Sequence, residues 1–161
     1  PGKVEVRSIP FPELVEPNGR KANHGVILRV VSTNICGSDQ HMVRGRTTAP
    51  EGLVLGHEFC GKIVQSAAPG FAIGQRFTGN PLITCGTCDY CVQGRDNLCS
   101  HRTMVGMTRP GAFAEAMSIP GRCLIALPDS LEAGRAAADQ AVADGTGGRT
   151  IVMVQDRFRS M

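Results

Sequence analysis

Aromatic residues are scarce in this chain: its 161 residues include no Trp, a single Tyr and six Phe. Base stacking on aromatic faces, the sequence-tolerant way to hold single-stranded nucleic acid, has little to work with here. Charge offers no substitute, because the net value is only +3 and the Lys and Arg residues are scattered rather than gathered into a patch. Nucleic acid is therefore not an expected partner. Neither is a membrane, since no apolar run approaches the roughly 20 residues that span a bilayer. Sustained helical periodicity is also rare. With 20 Gly and 10 Pro, the chain favours many turns and short strands over long helices. Its length suits one domain with a sizeable core and is too short for two full ones.

Cysteine, by contrast, is plentiful, with seven residues. Cys85, Cys88, Cys91 and Cys99 form a C-x2-C-x2-C-x7-C series. Cysteines on such tight turns can aim their sulfurs at one centre, and Gly86 and Gly94 supply backbone freedom for the turns. Four thiolates at tetrahedral corners make a closed structural zinc site with no position left for substrate. Disulfides are the alternative, but C-x2-C pairs bridge poorly and no secretory signal is recognisable. Thiols used for metal point to a reducing compartment, with the cytoplasm as the expected location. Cys60 and Cys123, outside this series, read as small core residues.

In chain order, residues 1–7 alternate Val4 and Val6 with charged residues and read as a strand. The start without Met, directly in that pattern, leaves open whether the chain has been cut there. Residues 24–33 form a nearly continuous β-branched run, expected as a strand buried on both faces. Residues 36–42 follow as a polar loop over the strand end, a common setting for binding groups. Short strands are expected at 52–55, 59–65, 75–79, 111–119 and 123–127, with a Pro-Gly turn at Pro120–Gly121. The one good helix candidate covers residues 131–142, Ala-rich and capped by Asp129 or Ser130, before a strand at 150–154.

A second, dispersed constellation bears on chemistry. Cys36 lies in Ile35-Cys-Gly-Ser-Asp39 with His41 close behind, and His57 and Glu58 follow in Gly56-His-Glu58. A catalytic zinc takes three protein ligands, commonly mixing thiolate, imidazole and carboxylate, and keeps one position open for a substrate oxygen. On residue types alone, a core Cys and a surface His explain these positions more simply than a metal site does. Ser38 as a turn hydroxyl and Asp39 as a cap are open on the same terms.

The string ICGSDQH at 35–41, Gly56-His-Glu58 and the four-cysteine run together resemble the zinc-containing medium-chain alcohol dehydrogenases. Residues 25–58 most resemble the glutathione-independent formaldehyde dehydrogenases. From about Phe59 onward, GQRF, CGTCDYCVQGRDNLC and GAFAEAMSIP are closer to general alcohol and polyol dehydrogenases. The resemblance implies a mainly β, GroES-like, partly open barrel with a zinc-binding lobe and a C-terminal helix. It implies two zinc ions, one structural at Cys85, Cys88, Cys91 and Cys99, one catalytic on Cys36 and His57 with Glu58 as an alternative ligand. Ser38 would accept the substrate proton, His41 would continue the relay, and Asp39 would orient His57. Asp139, in Ala136-Ala-Ala-Asp139-Gln140, is the candidate third protein ligand, although a solvated helical Asp reads the same way. The implied reaction is hydride transfer between NAD(P) and a small alcohol or aldehyde.

The 161 residues also depart from that family. The strand at 150–154 should run into G-x-G-x-x-G and a helix whose amides hold pyrophosphate, and no such string occurs here. Gly145-Thr-Gly-Gly148 precedes the strand and cannot serve. The expected organisation is a zinc-binding catalytic domain at 1–130, then at 131–161 a helix and the truncated start of a nucleotide-binding Rossmann domain. Without a cofactor turn these residues alone are expected to give negligible NAD-dependent turnover. An apolar face near 127–154 is expected to favour self-association, either as a homo-oligomer or against the missing cofactor domain. Two other readings stand beside this one: a non-catalytic zinc-stabilised domain, and a zinc-ribbon-like binding module.

Overall fold

The computed structural model describes residues 3–14 and 21–128. The helix expected at 131–142, the strand at 150–154, the glycines at 145–148 and Asp139 lie outside the described residues. Strand β1, Gly25–Asn34, is the organising element, and its Val, Ile and Leu residues are mostly buried as expected. Antiparallel neighbours flank it: β2, Glu58–Ser66, on one side and β6, Ala116–Pro120, on the other. Strands β3, Arg76–Gly79, and β7, Leu124–Ala126, extend the sheet in the order β6-β1-β2-β3-β7. A separate ribbon pairs β4, Leu82–Ile83, with β5, Thr103–Met104.

The core collects Val26, Leu28, Val30, Phe59, Ile63, Phe77, Met117 and Ile119 from the sheet, with Ile83, Val105 and Ala112 from the ribbon side. Cys123 joins it, and Cys60 is half-buried in β2, in keeping with small packing roles. Register shifts between Ile27 and Leu28 and between Val30 and Ser32 bend β1 against β2. At the bend, a Cβ on Gly61 would come within 2.7 Å of the Arg29 carbonyl oxygen, so only glycine allows the close approach. Beyond the bend, Thr33 pairs with Phe59 and Asn34 with Glu58, and the Thr33 hydroxyl donates to the Glu58 carbonyl at 2.7 Å. This register sets the exit of β1, which leads to Cys36, beside the entrance of β2, which follows His57.

Several local expectations are corrected. Residues 3–10 form no strand. Val4 (67% exposed) and Val6 share a face with no partner strand among the described residues, so period-2 alternation has nothing to bury against. Residues 36–42 are not a loop: helix α1 spans Gly37–Val43, and the Asp39 carboxylate at its third position accepts from the Cys36 N–H at 2.9 Å. Helix α2, Asp89–Val92, is a second short helix the composition did not signal. Residues 52–55 lie outside any strand, and within 111–119 only Ala116–Pro120 enters the sheet ladder. The Pro-Gly turn opens a single 3-10 turn, Gly121–Cys123. No helix among the described residues is long and apolar enough to cross a membrane.

Ile63, only 1% exposed in the centre of the core, is expected to cost about 2–5 kcal/mol on truncation to Ala. Ile125→Ala, at a position 59% exposed on β7, is expected to stay within about 0.5 kcal/mol of the parent. Denaturant unfolding of the two variants side by side checks both; similar losses would mean that this core is misplaced.

Candidate metal centres

The four-cysteine lobe is built locally. Cys88 precedes α2, Cys91 sits within it, and Cys99 follows a 3-10 turn at Asp96–Leu98. All seven cysteines are free. The sulfurs of Cys85 and Cys91 are 3.9 Å apart, those of Cys88 and Cys91 3.5 Å, and those of Cys85 and Cys99 3.6 Å. Four sulfurs about 2.3 Å from a tetrahedral centre lie roughly 3.8 Å from one another, so the donor set fits a zinc ion. Disulfide sulfurs would be roughly 2.0 Å apart, which excludes the crosslink alternative for this geometry. The thiols are electrostatically unequal. Backbone N–H groups, Thr87 first and then Cys88, lower Cys85 to about 5, whereas desolvation raises Cys91 to about 12, with its thiol neighbours adding to the rise. Cys85 is thus the more readily ionised of the two, and a bound metal would hold both as thiolates.

The second cluster is assembled by the sheet. Cys36 caps α1 just past β1, His57 stands immediately before β2, and Glu58 is the first residue of β2. One ligand atom from each lies within 4.8 Å of the others. His57 is buried, and the exposed Glu58 leaves one side of the cluster open to solvent. Ser38 Oγ stands 3.2 Å from His57 Nε2. Asp39, 2% exposed, faces the other ring nitrogen: its Oδ1 is 3.5 Å from His57 Nδ1. That separation is at the outer limit of a hydrogen bond, and Nδ1, itself buried, has no well-formed partner. The two groups form a long ion-pair contact rather than a well-formed hydrogen bond. A cation on Nε2 would fix the ring proton on Nδ1, where the carboxylate waits, so the donor set and its surroundings fit a metal here too.

Electrostatics follow from this packing. Contact with Asp39 raises His57 to about 9 against the opposing effect of burial, and Cys36 adds to the rise. Burial works to raise Asp39, but the His57 ring and the N–H groups of Cys36 and Gly56 together bring it below its ordinary value. The exposed His41 lies three residues beyond Ser38 on α1, and no contact joins it to the cluster. Two contributors had no recognisable local signal: the Gly56 N–H, 3.4 Å from Asp39 Oδ1, and the Thr33 hydroxyl on the Glu58 carbonyl. A cavity of about 230 Å³ lined by Leu14, His24, Ile83 and Arg109 shares no residue with either cluster.

Replacing one lobe ligand, as in Cys88→Ser, is expected to weaken zinc retention and open residues 85–99 to proteolysis, as chelation should in the parent. A lobe that stays equally protease-resistant after chelation would contradict the assignment. In the metal-free chain, His57 has a folded value of about 9 against 6.5 unfolded. Its pairing with Asp39 therefore stabilises the fold fully below the unfolded value, and that contribution is lost as pH rises through 9. Unfolding free energies from pH 6 to roughly pH 9.5 are expected to fall more steeply for the parent than for His57→Gln. Parallel curves would remove the pair from the account.

Known proteins resemble this chain over most of its described residues. The alcohol dehydrogenase GroES-like domain matches residues 22–129. A glutathione-independent formaldehyde dehydrogenase of Pseudomonas aeruginosa is 55% identical over 101 residues, covering 62% of this chain and 25% of that protein. An L-threonine 3-dehydrogenase of Chelativorans sp. (strain BNC1) is 41% identical over 129 residues, covering 76% of this chain and 36% of that protein. The alcohol dehydrogenase TADH from Thermus sp. ATN1 superposes with a TM-score of 0.73 at 32% identity, covering 83% of this chain and 40% of that one. The chain thus spans a quarter to two-fifths of the length of these relatives. Fold, cysteine lobe and sequence agree: the chain belongs to the zinc-dependent alcohol dehydrogenase family, as its GroES-like domain.

Proposed function

We propose that this chain supplies the oxygen-binding and proton-handling part of an alcohol or aldehyde dehydrogenase, with formaldehyde as the favoured substrate. The observation that carries the reading is the convergence of Cys36, His57 and Glu58 within 4.8 Å, with Ser38 Oγ 3.2 Å from His57 Nε2. In this reading Cys36 and His57 hold a catalytic zinc, Glu58 is an alternative ligand, and Asp139 is the candidate third protein ligand. Cys85, Cys88, Cys91 and Cys99 hold a structural one. A zinc ion bound at the first centre would polarise the substrate oxygen and ease loss of its hydroxyl proton.

The chain's own residues do the rest. Asp39 keeps the ring proton of His57 on Nδ1 and leaves Nε2 for the metal. Ser38 would take the substrate proton at Oγ, and His41, exposed three residues further along α1 and out of contact with it here, is the candidate for passing it on to solvent. The open side at Glu58 admits a small substrate, in contrast to the closed four-thiolate lobe. NAD(P) is the proposed hydride partner, held by a nucleotide-binding domain that the organisation at 1–130 and 131–161 anticipates. Formaldehyde is favoured over larger alcohols by the 55% identity to the Pseudomonas aeruginosa enzyme. The cytoplasm is the proposed location, and association into homo-oligomers or with the cofactor domain the proposed assembly.

Cobalt substitution tests the reading directly. The metal-free chain is expected to take up two cobalt ions with distinct spectra. Adding a simple alcohol should perturb only the one at Cys36 and His57, because a site with four protein ligands has no open position. The same preparation should give negligible NAD reduction, since effective molarity collapses when one reactant is not held. Uptake of lobe cobalt alone, or two ions both indifferent to alcohol, would count against the proposal and favour a metal-stabilised domain without catalysis.

A further inference from the structure

Three backbone hydrogen bonds tie residues 111–113 across residues 54–56, just before His57. The N–H groups of Gly111, Ala112 and Phe113 donate to the carbonyls of Val54, Gly56 and Leu55, each at 2.8 Å. The contact is too close for side chains. A Cβ on Gly111 would fall 2.6 Å from the Leu55 carbonyl carbon, and one on Gly106 would fall 2.7 Å from that of Gly56. Gly56 is therefore packed between two other glycine backbones. Its φ of +92 lies where L side chains rarely go, and the space a side chain would need is taken by the ring of Phe113, whose Cε1 would be 2.8 Å from it. Ala112 is fully buried in the core, which anchors the strap from beneath.

We propose that residues 111–113 are a strap that sets the placement of His57, with Phe113 as a positioning residue for the metal centre. His57 itself is loosely tethered: Asp39 is 3.5 Å from Nδ1 and Ser38 is 3.2 Å from Nε2. Neither contact fixes where the imidazole starts from. The backbone immediately before it does, and that backbone is held by the three strap bonds and by the ring filling the space over Gly56. Removing the ring frees residue 56 to relax towards other φ values, and His57 Nε2 would then drift relative to Cys36 Sγ. The effect should be local, because the four-cysteine lobe builds its site from residues 85–99 alone.

The inference rests on the metal reading of Cys36 and His57, and the test separates the two. Cobalt is titrated into the metal-free 161-residue chain, with the lobe as internal reference. Phe113→Ala is expected to weaken cobalt binding at the Cys36–His57 centre by about tenfold or more and to leave the lobe unchanged. Phe113→Leu, which leaves a smaller void, is expected to weaken it by about threefold, and it carries the test if the Ala variant does not fold. Phe11→Ala, at a position 59% exposed, should match the parent. Parental affinity at both sites in the Ala and Leu variants would overturn the strap, and so would equal weakening of lobe and centre. A parent that takes up lobe cobalt alone would overturn the metal reading instead, and the strap with it.

Discussion

A single buried carboxylate holds the Cys36–His57 end of this domain together. Asp39 is 2% exposed and cannot stay ionised there without compensation. Its compensation comes from two chain segments at once: the Cys36 N–H at 2.9 Å on its own helix, and the Gly56 N–H with the His57 ring from the segment entering β2. Burial works to raise its pKa, and these partners more than offset that effect. The stretch that bears Cys36 and the stretch that bears His57 are thus joined through one charge. A neutral residue of the same shape would leave His57 without the charge that favours its ring proton on Nδ1.

The two candidate metal centres are built on different principles. In the lobe, cysteine spacing, α2 and one 3-10 turn bring four sulfurs together within residues 85–99. Little outside that span is needed, and four protein ligands leave no place for anything else. The Cys36–His57–Glu58 cluster depends on long-range register instead. Asn34 must pair with Glu58, and Thr33 must hold the Glu58 carbonyl, before the thiolate and the imidazole can meet. A slip of one residue would turn Glu58 to the other face of the sheet. The bends in β1 and the close approach at Gly61 protect that register.

That contrast accords with the proposed roles, a closed, locally folded site for stability and a site assembled from the sheet, the helix and residues 54–56 for substrate. The open side of the latter lies at Glu58, an exposed carboxylate beside a buried imidazole. The cavity lined by His24, Ile83 and Arg109 shares no residue with that cluster.

The amino-acid sequence by itself determined the four-thiolate lobe, the buried central strand and the mainly β class. Each rests on information within a few neighbouring residues: cysteine spacing, β-branched runs, glycine and proline at turns. It misjudged the strand at 1–7, whose described residues 3–7 alternate but meet no partner, and residues 36–42, where the Asp39 carboxylate accepts from the Cys36 N–H at the start of a helix. Only the tertiary structure decided that Ser38 meets His57 across 19 residues. It alone showed that Asp39 faces the inner ring nitrogen and that Gly56 is packed between Gly106, Gly111 and Phe113. The physical reason is that these contacts follow from strand register and backbone packing between distant segments, and no local pattern of residue types encodes them.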